Sequence, residues 1–134
     1  METLRWKTRI AVLWVLMAVA MSVHNITAFK EPGTIEEIMS GSLEGSALTS
    51  GMLVFMSLFW LIPLWLAFLS MTLKGLANRW VNFALGIIFT ILNIYHFIEH
   101  LSPPSPAQIL AVGSTVVATA LIAWYAWRWP KTEA

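Results

Sequence analysis

Hydrophobic residues fill four long stretches of the chain, and polar residues collect between them. Each stretch runs for about 20 residues or more, which is the length that an α-helix needs to cross the hydrocarbon core of a bilayer. The pattern predicts four helices, over residues of about 6–29, 48–73, 78–101 and 106–129. We therefore expect an all-α fold, an integral membrane four-helix bundle that forms one domain over residues 1–134.

The third stretch, NRWVNFALGIIFTILNIYHFIEH, carries polar residues at steps of three or four. This spacing puts them on one side of a helix. Polar groups that face lipid are costly, so that side should face the other helices or a wet cavity. The candidate ligand-binding side chains are Asn82, Thr90 and Asn93, with Asn25 of the first helix. The alternative is that these groups only bond to neighbouring helices.

One long connection, KEPGTIEEIMSGSLEGSALTS, joins the first two helices. Thr34 with Glu37 three residues on fits a capping box, which predicts a short interfacial helix. Before the fourth helix, Ser105 is the expected N-cap, Pro106 the first helical residue and Gln108 the partner in a second capping box. The acidic residues of the long connection are Glu31, Glu36, Glu37 and Glu44.

Composition sets the broad class of the protein. Hydrophobic residues make up 58% and charged residues 11% of the 134 positions, and the mean hydropathy of +0.73 is far from that of a soluble domain. The chain has no Cys, which excludes disulfides, thiolate catalysis and Cys-ligated metals. The net charge of +1 comes without a basic and aromatic cluster, so we expect a lipid bilayer and no nucleic acid as partner.

Basic residues flank the predicted helices almost entirely on one side. Of the eight Lys and Arg, only Lys30 lies in a loop on the other side. The positive-inside rule then predicts a multi-pass protein of the cell (inner or plasma) membrane with both termini cytoplasmic and the long connection outside. The basic flanks are Arg5, Lys7, Arg9, Lys74, Arg79, Arg128 and Lys131.

All three histidines are predicted at the outer ends of their helices. His96 and His100 belong to an H-x-x-E-H pattern that also contains Glu99, the spacing with which one class of zinc peptidase holds its metal. A third ligand would come from His24, Asn25 or a glutamate of the outer loop. The candidate metal ligands are His24, His96, His100 and Glu99, and the candidate cofactor is a divalent metal such as zinc. The alternative is that the histidines sit in interfacial water. No arrangement of Ser, Lys or paired carboxylates suggests a hydrolase, so no catalytic residue is assigned.

Two motifs carry a family resemblance: LKGLANRWVNFALGI over 73–87 and LIAWYAWRWP over 121–130, with EEIMSG after the first helix as a third point of similarity. The chain resembles a family of small uncharacterised four-pass membrane proteins of bacteria and archaea. The resemblance implies a prokaryotic protein with this topology, and the family carries no assigned activity.

Three functional hypotheses follow. The leading one is a non-enzymatic membrane protein that binds a small molecule, lipid or metal in an outward-facing cavity, or acts as a subunit of a membrane assembly. A second is a small homodimeric ion- or proton-coupled transporter, since four helices are too few for the usual two-repeat design but can pair. A third is a metal-dependent membrane enzyme that uses His96, Glu99 and His100. Homo-oligomers and membrane partners are both compatible with the sequence.

Overall fold

The computed structural model describes residues 2–129, so Pro130 of the second motif and the basic residue Lys131 lie outside the described part. Four long helices in it are apolar enough to cross a membrane, and the protein is a multi-pass membrane protein with the expected all-α four-helix bundle. In chain order the elements are α1 (Glu2–Ala28), α2 (Thr34–Met39), β1 (Ser42–Leu43), β2 (Ser46–Ala47), α3 (Ser50–Thr72), α4 (Gly75–Glu99) and α5 (Pro106–Arg128).

The helix ends differ from the hydropathy pattern mainly where charged residues flank it. α1 begins at Glu2, before the predicted start near residue 6, because Arg and Lys are good helix formers and continue the helix outside the apolar stretch. α4 begins at Gly75, before the predicted start near residue 78, and Gly75 takes the left-handed backbone (φ 52°) that this tight α3–α4 turn requires. The remaining helix ends lie within two residues of the predictions.

The two ends of the bundle carry different connections, and we call them the loop end and the terminal end. The loop end carries α2, the β1–β2 hairpin and the α4–α5 loop, and the terminal end carries the start of α1, the α3–α4 turn and the end of α5. α5 packs against both α1 and α4, and α1 also packs against α3. Small residues on α4 and α5 permit close contact between these helices: a Cβ added to Gly86 of α4 would lie 3.0 Å from the backbone nitrogen of Ala123 on α5.

Buried amides on α4 join the helices of the bundle. Asn82 and Asn93, predicted to face the bundle interior, are 1% and 0% exposed, which confirms that prediction. Asn82 Oδ1 accepts from Trp14 Nε1 of α1 at 2.7 Å and lies 3.0 Å from Ser70 Oγ of α3. Its amide donates to the carbonyl and side-chain oxygens of Asn78. One asparagine thereby connects three helices.

α3 and α4 touch each other much less than the other neighbouring helices do. Near the terminal end Ser70 and Asn82 join them, and further along the Phe59 and Phe89 rings meet at 5.3 Å. Toward the loop end they separate, and a cavity of about 330 Å³ opens between them. Trp60 fixes the α3 wall of this cavity to α1, because its Nε1 donates to Ser22 Oγ at 2.9 Å.

Both predicted capping boxes are wrong, because their side chains bond elsewhere. Gly33, with φ 88°, is the N-cap of α2, and the carboxylate of Glu37 accepts from the backbone N–H of Gly45 instead of capping the helix. At α5, Ser105 is the N-cap and Pro106 the first residue as predicted, but no side chain caps the helix. Ser105 donates to Glu31, and Gln108 turns toward α1.

Candidate metal centre

Three histidines meet at the loop end because the helices that carry them end at one depth. His24 lies on the buried side of α1 in register with the core residues Met17 and Met21, and it is 4% exposed. His96 and His100 are four residues apart, so their side chains stack on one face of α4 as it ends. Each pair of imidazole rings meets edge to face, with centroids 4.7–5.0 Å apart.

The fourth member of the cluster, Glu44, comes from the turn of the β1–β2 hairpin. Leu43 pairs with Ser46, so Glu44 and Gly45 form a two-residue turn with both φ values positive, 51° and 78°. Such turns favour Asn, Asp or Gly, and a non-glycine residue held at positive φ is a feature of strained functional positions. The hairpin holds Glu44 over the histidines in this conformation.

The four side chains converge closely, and we call them the His₃Glu cluster. Glu44 Oε1 lies 3.3 Å from His24 Nε2 and 3.2 Å from His100 Nε2, and Glu44 Oε2 lies 3.4 Å from His96 Nε2. The Nε2 atoms of His96 and His100 are themselves 3.2 Å apart. One potential ligand atom from each of the four residues lies within 4.8 Å of every other.

A chain of hydrogen bonds behind His24 sets its tautomer. The carboxylate of Glu31 can only accept, so the Gln108 group that faces it at 3.3 Å is the amide nitrogen. The Gln108 oxygen therefore faces His24 Nδ1, which must donate to it. A neutral His24 then carries its proton on Nδ1 and turns a bare Nε2 toward the cluster.

This tautomer creates an electrostatic requirement at Glu44. A bare His24 Nε2 and the Glu44 carboxylate oxygen 3.3 Å away are both acceptors. Two facing lone pairs repel unless a positive charge lies between them, either a second proton on His24 or a metal ion. A second proton on His24 relieves only the His24–Glu44 pair, whereas a metal ion at the centre can bind all four residues.

The pKa values of Glu44 and His100 favour the forms of these two groups that bind metals. Burial raises the pKa of the Glu44 carboxyl, but hydrogen bonds and charge from His24 and His96 outweigh it, so the pKa lies well below its usual value and the group is a carboxylate. Burial lowers the pKa of His100 further than the Glu44 charge raises it, which favours the neutral imidazole. Carboxylates and neutral imidazoles are the forms that bind metals.

The other predicted site residues lie apart from the cluster. Glu99 is exposed and does not join it, since one residue along a helix rotates the side chain by about 100° away from His100. Asn25 bonds to the Met21 carbonyl and lines the cavity. Thr90 bonds to the Gly86 carbonyl of its own helix at 2.6 Å. Asn93 donates to Thr119 on α5.

Two openings reach the His₃Glu cluster. The 330 Å³ cavity between α3 and α4 has walls from three helices and is bounded by His24, Glu44 and His96 at the loop end. A second, more open cleft of about 680 Å³ lies on the side of the α4–α5 loop and includes Glu44, His100 and the acidic residues Glu31 and Glu99. The cluster can therefore be approached both from between the helices and from the loop surface.

The sequence predicted a glutamate of the outer loop as one possible third ligand without singling out Glu44, and it gave Gln108 and Glu31 no role in supporting the site. Glu44 was placed in the acidic connection, and the only local signal for its position was Glu-Gly between two short extended segments, a weak turn signal. Gln108 matched a capping pattern that its side chain does not use. Glu31 holds Gln108 from 77 residues away in the chain, a contact that no local pattern reveals.

A family model matches residues 2–133. The chain belongs to DUF6326, a family of unknown function. No curated protein and no solved structure matches it. The match covers the whole bundle and brings no activity with it, so the function of this DUF6326 protein has to be argued from the chemistry of its side chains.

Proposed function

We propose that this DUF6326 protein binds a divalent metal ion, zinc by the nature of its donors, through His24, Glu44, His96 and His100. The contact between His24 Nε2, which is bare in the neutral imidazole, and the Glu44 carboxylate is the observation that carries the proposal, because the two acceptors need a positive charge between them and a metal ion supplies it. Three imidazole nitrogens and one carboxylate are a donor set that zinc prefers, whereas calcium and magnesium prefer oxygen donors.

The spacing of the cluster supports zinc as its occupant. Zinc binds imidazole nitrogen and carboxylate oxygen at about 2.0–2.1 Å, so tetrahedral ligand atoms lie about 3.3–3.4 Å apart. Four contacts among the Nε2 atoms and the Glu44 oxygens run from 3.2 to 3.4 Å, and one ligand atom from each of the four residues lies within 4.8 Å of the others. An ion can be accommodated with small shifts of the side chains.

The surroundings of the cluster also fit a metal site. Metal-binding histidines generally donate their other ring nitrogen to a polar group, which fixes the ring and the tautomer. Gln108 and Glu31 supply this support to His24. The cleft beside the α4–α5 loop contains Glu31 and Glu99, whose negative charges attract cations toward the cluster.

The binding experiment uses the full chain purified in detergent and stripped of metal. Zinc should bind at one ion per chain and raise the melting temperature, since a ligand that binds only the folded state stabilises it by about 2.7 kcal/mol at 100 times its Kd. His96→Ala and His100→Ala should each abolish this rise and leave the metal-free protein nearly unchanged. Glu99→Gln is the matched control on the same helix end and should bind zinc like the unaltered chain.

The outcomes separate this proposal from the H-x-x-E-H hypothesis. Loss of zinc binding in Glu99→Gln with retention in a Glu44→Gln variant would assign the carboxylate ligand to the helix motif and contradict the His₃Glu cluster. A zinc-dependent rise in melting temperature that survives both histidine substitutions would place the metal elsewhere and contradict it as well.

The orientation of the bundle is a second part of the proposal: both termini face the cytoplasm, and the loop end with its cluster faces outward. It is supported by the basic residues in the described part of the chain, of which only Lys30 belongs to the loop end. Because the chain has no Cys, single cysteines can report it. In intact cells an impermeant maleimide should label Glu37→Cys and not Lys131→Cys, and the reverse pattern would contradict the orientation.

A further inference from the structure

We propose that the cavity between α3 and α4 binds a single-chain lipid with a carboxylate head, a fatty acid, and that its head group reaches the metal of the His₃Glu cluster. This inference rests on the proposed metal function, because the metal is what recognises the head group. It names a ligand class for the site and a route by which that ligand arrives from the bilayer.

The walls of the cavity are suited to an acyl chain. They are formed mainly by flexible or aromatic apolar side chains, namely Met52, Phe55, Met56, Phe59 and Leu92. From Met52 to Trp60 the cavity follows α3 for about 12 Å at 1.5 Å per residue, into the depth of the membrane-spanning segment. Methionine adapts to ligands of varied shape, which is typical of surfaces that accept apolar chains.

The volume favours one chain over a two-chain lipid. At about 330 Å³ the cavity is at the small end of ligand pockets, which span about 300–1,000 Å³. It is roughly twice the volume of a 150 Å³ apolar cavity that holds benzene. The opening between α3 and α4 lets part of a longer chain extend into the surrounding lipid.

The polar end of the cavity is suited to a carboxylate. His24, Glu44 and His96 belong both to the cavity lining and to the His₃Glu cluster. With zinc bound, three neutral imidazoles and one carboxylate leave a net charge of +1, which an anionic head group neutralises. Zinc can expand from four to five ligands, so the head group can bind without displacing Glu44. The charge of Glu99 at this opening is screened by water, because its side chain is exposed.

The test is photocrosslinking of the full chain in nanodiscs with a palmitic acid that carries a diazirine in mid-chain, followed by mass-spectrometric mapping. With zinc bound, labelling should concentrate on the cavity walls at Met52, Met56 and Leu92. The methyl ester of the same probe, which lacks the anionic head, should label them about tenfold less. Removing zinc should bring the acid down to the level of the ester.

Substitutions that fill the cavity separate this site from general contact with lipid. Met56→Trp and, from the opposite wall, Leu92→Trp should each reduce labelling of the remaining wall residues by about tenfold. Leu58→Trp is the matched control, since Leu58 lies on the outward side of α3 and is 48% exposed. If labelling spreads over outward-facing residues and its extent is the same in both cavity variants, the fatty-acid site is overturned.

The measurements distinguish an incorrect metal site from an incorrect fatty-acid site. Bound zinc is measured by elemental analysis on the same samples. Zinc binding together with equal labelling by acid and ester would overturn the fatty-acid inference and leave the metal site standing. Absence of zinc binding would overturn the metal function and with it recognition of the head group by the metal, whatever the probes label.

Discussion

The two ends of α4 both bury polar side chains, but they balance hydrogen-bond donors and acceptors in opposite ways. At the terminal end, the Asn82 amide donates twice to Asn78, and Asn78 donates to the free carbonyls of Ser70 and Leu73 at the end of α3. Trp14 supplies the donor that Asn82 Oδ1 needs. Every side-chain donor in this group has an acceptor, and all the groups are neutral.

At the loop end the contact between a neutral His24 and Glu44 brings two acceptors together. Three imidazole nitrogens and a carboxylate face one another, and the hydrogen bond to Gln108 uses the Nδ1 proton of His24 outside the cluster. The comparison teaches that burial of polar groups on a membrane helix does not by itself mark a functional site. A network in which every donor has an acceptor joins helices, whereas two facing acceptors with no proton between them indicate a place for a cation.

The largest expected effect comes from removing the negative charge at the loop end. Glu44→Gln should weaken zinc binding by more than about 100-fold, beyond the usual effect of a group that only supports a ligand. The melting temperature of the metal-free protein should change little, because Glu44 lies in a surface hairpin. Isothermal titration with zinc measures the affinity, and Glu36→Gln, an exposed glutamate of the same connection, is the control. Equal loss in both variants would mean that zinc responds only to general surface charge.

Loss of the Gln108 contact behind His24 should weaken zinc binding less than loss of a direct ligand does. Gln108→Met keeps the side-chain size but removes the acceptor for His24 Nδ1, and it should weaken zinc binding by about 10–100-fold. Ser105→Ala removes the other side-chain bond to Glu31 without touching His24, so its zinc affinity should stay within a few-fold of the original. If the two variants bind zinc equally well, His24 does not depend on the Gln108 contact.

Substitutions at the terminal end should change the stability of the protein and not its zinc affinity. Asn82→Leu removes the acceptor of Trp14 and should lower the free energy of unfolding by about 1–2 kcal/mol, the upper range for polar contacts between membrane helices. Thr90→Val, which loses only a bond within its own helix, should have a smaller effect. Chemical unfolding in mixed micelles measures both. A large loss of zinc affinity in Asn82→Leu would show that the two ends are not independent.

Much of the bundle follows from hydropathy and helical spacing. Apolar stretches long enough to span a bilayer predicted four helices, and the stripe spacing predicted that Asn82 and Asn93 are buried. These are local properties of a periodic helix. The capping patterns failed because Glu37 bonds to Gly45 in the same connection and Gln108 bonds to residues far away in the chain, and a capping box competes poorly with such contacts.

The cluster was only partly predictable. The common depth of two helix ends placed His24, His96 and His100 at one end of the bundle, and the structure brings them together. The carboxylate that joins them depends on a two-residue turn with Glu44 at positive φ, for which the sequence has only a weak signal. Glu99 lies nearer to His96 and His100 in sequence and was the predicted carboxylate ligand, but the helical rotation turns its side chain away from the cluster.

X-ray absorption at the zinc K-edge tests the central claim most directly, because it reports which atoms surround the ion. The zinc-loaded full chain should show four nitrogen and oxygen ligands at about 2.0–2.1 Å, with the outer-shell scattering of three imidazole rings. The His96→Ala variant should lose the bound zinc. A spectrum with oxygen ligands alone and no imidazole scattering would contradict the assignment of the His₃Glu cluster as a metal site.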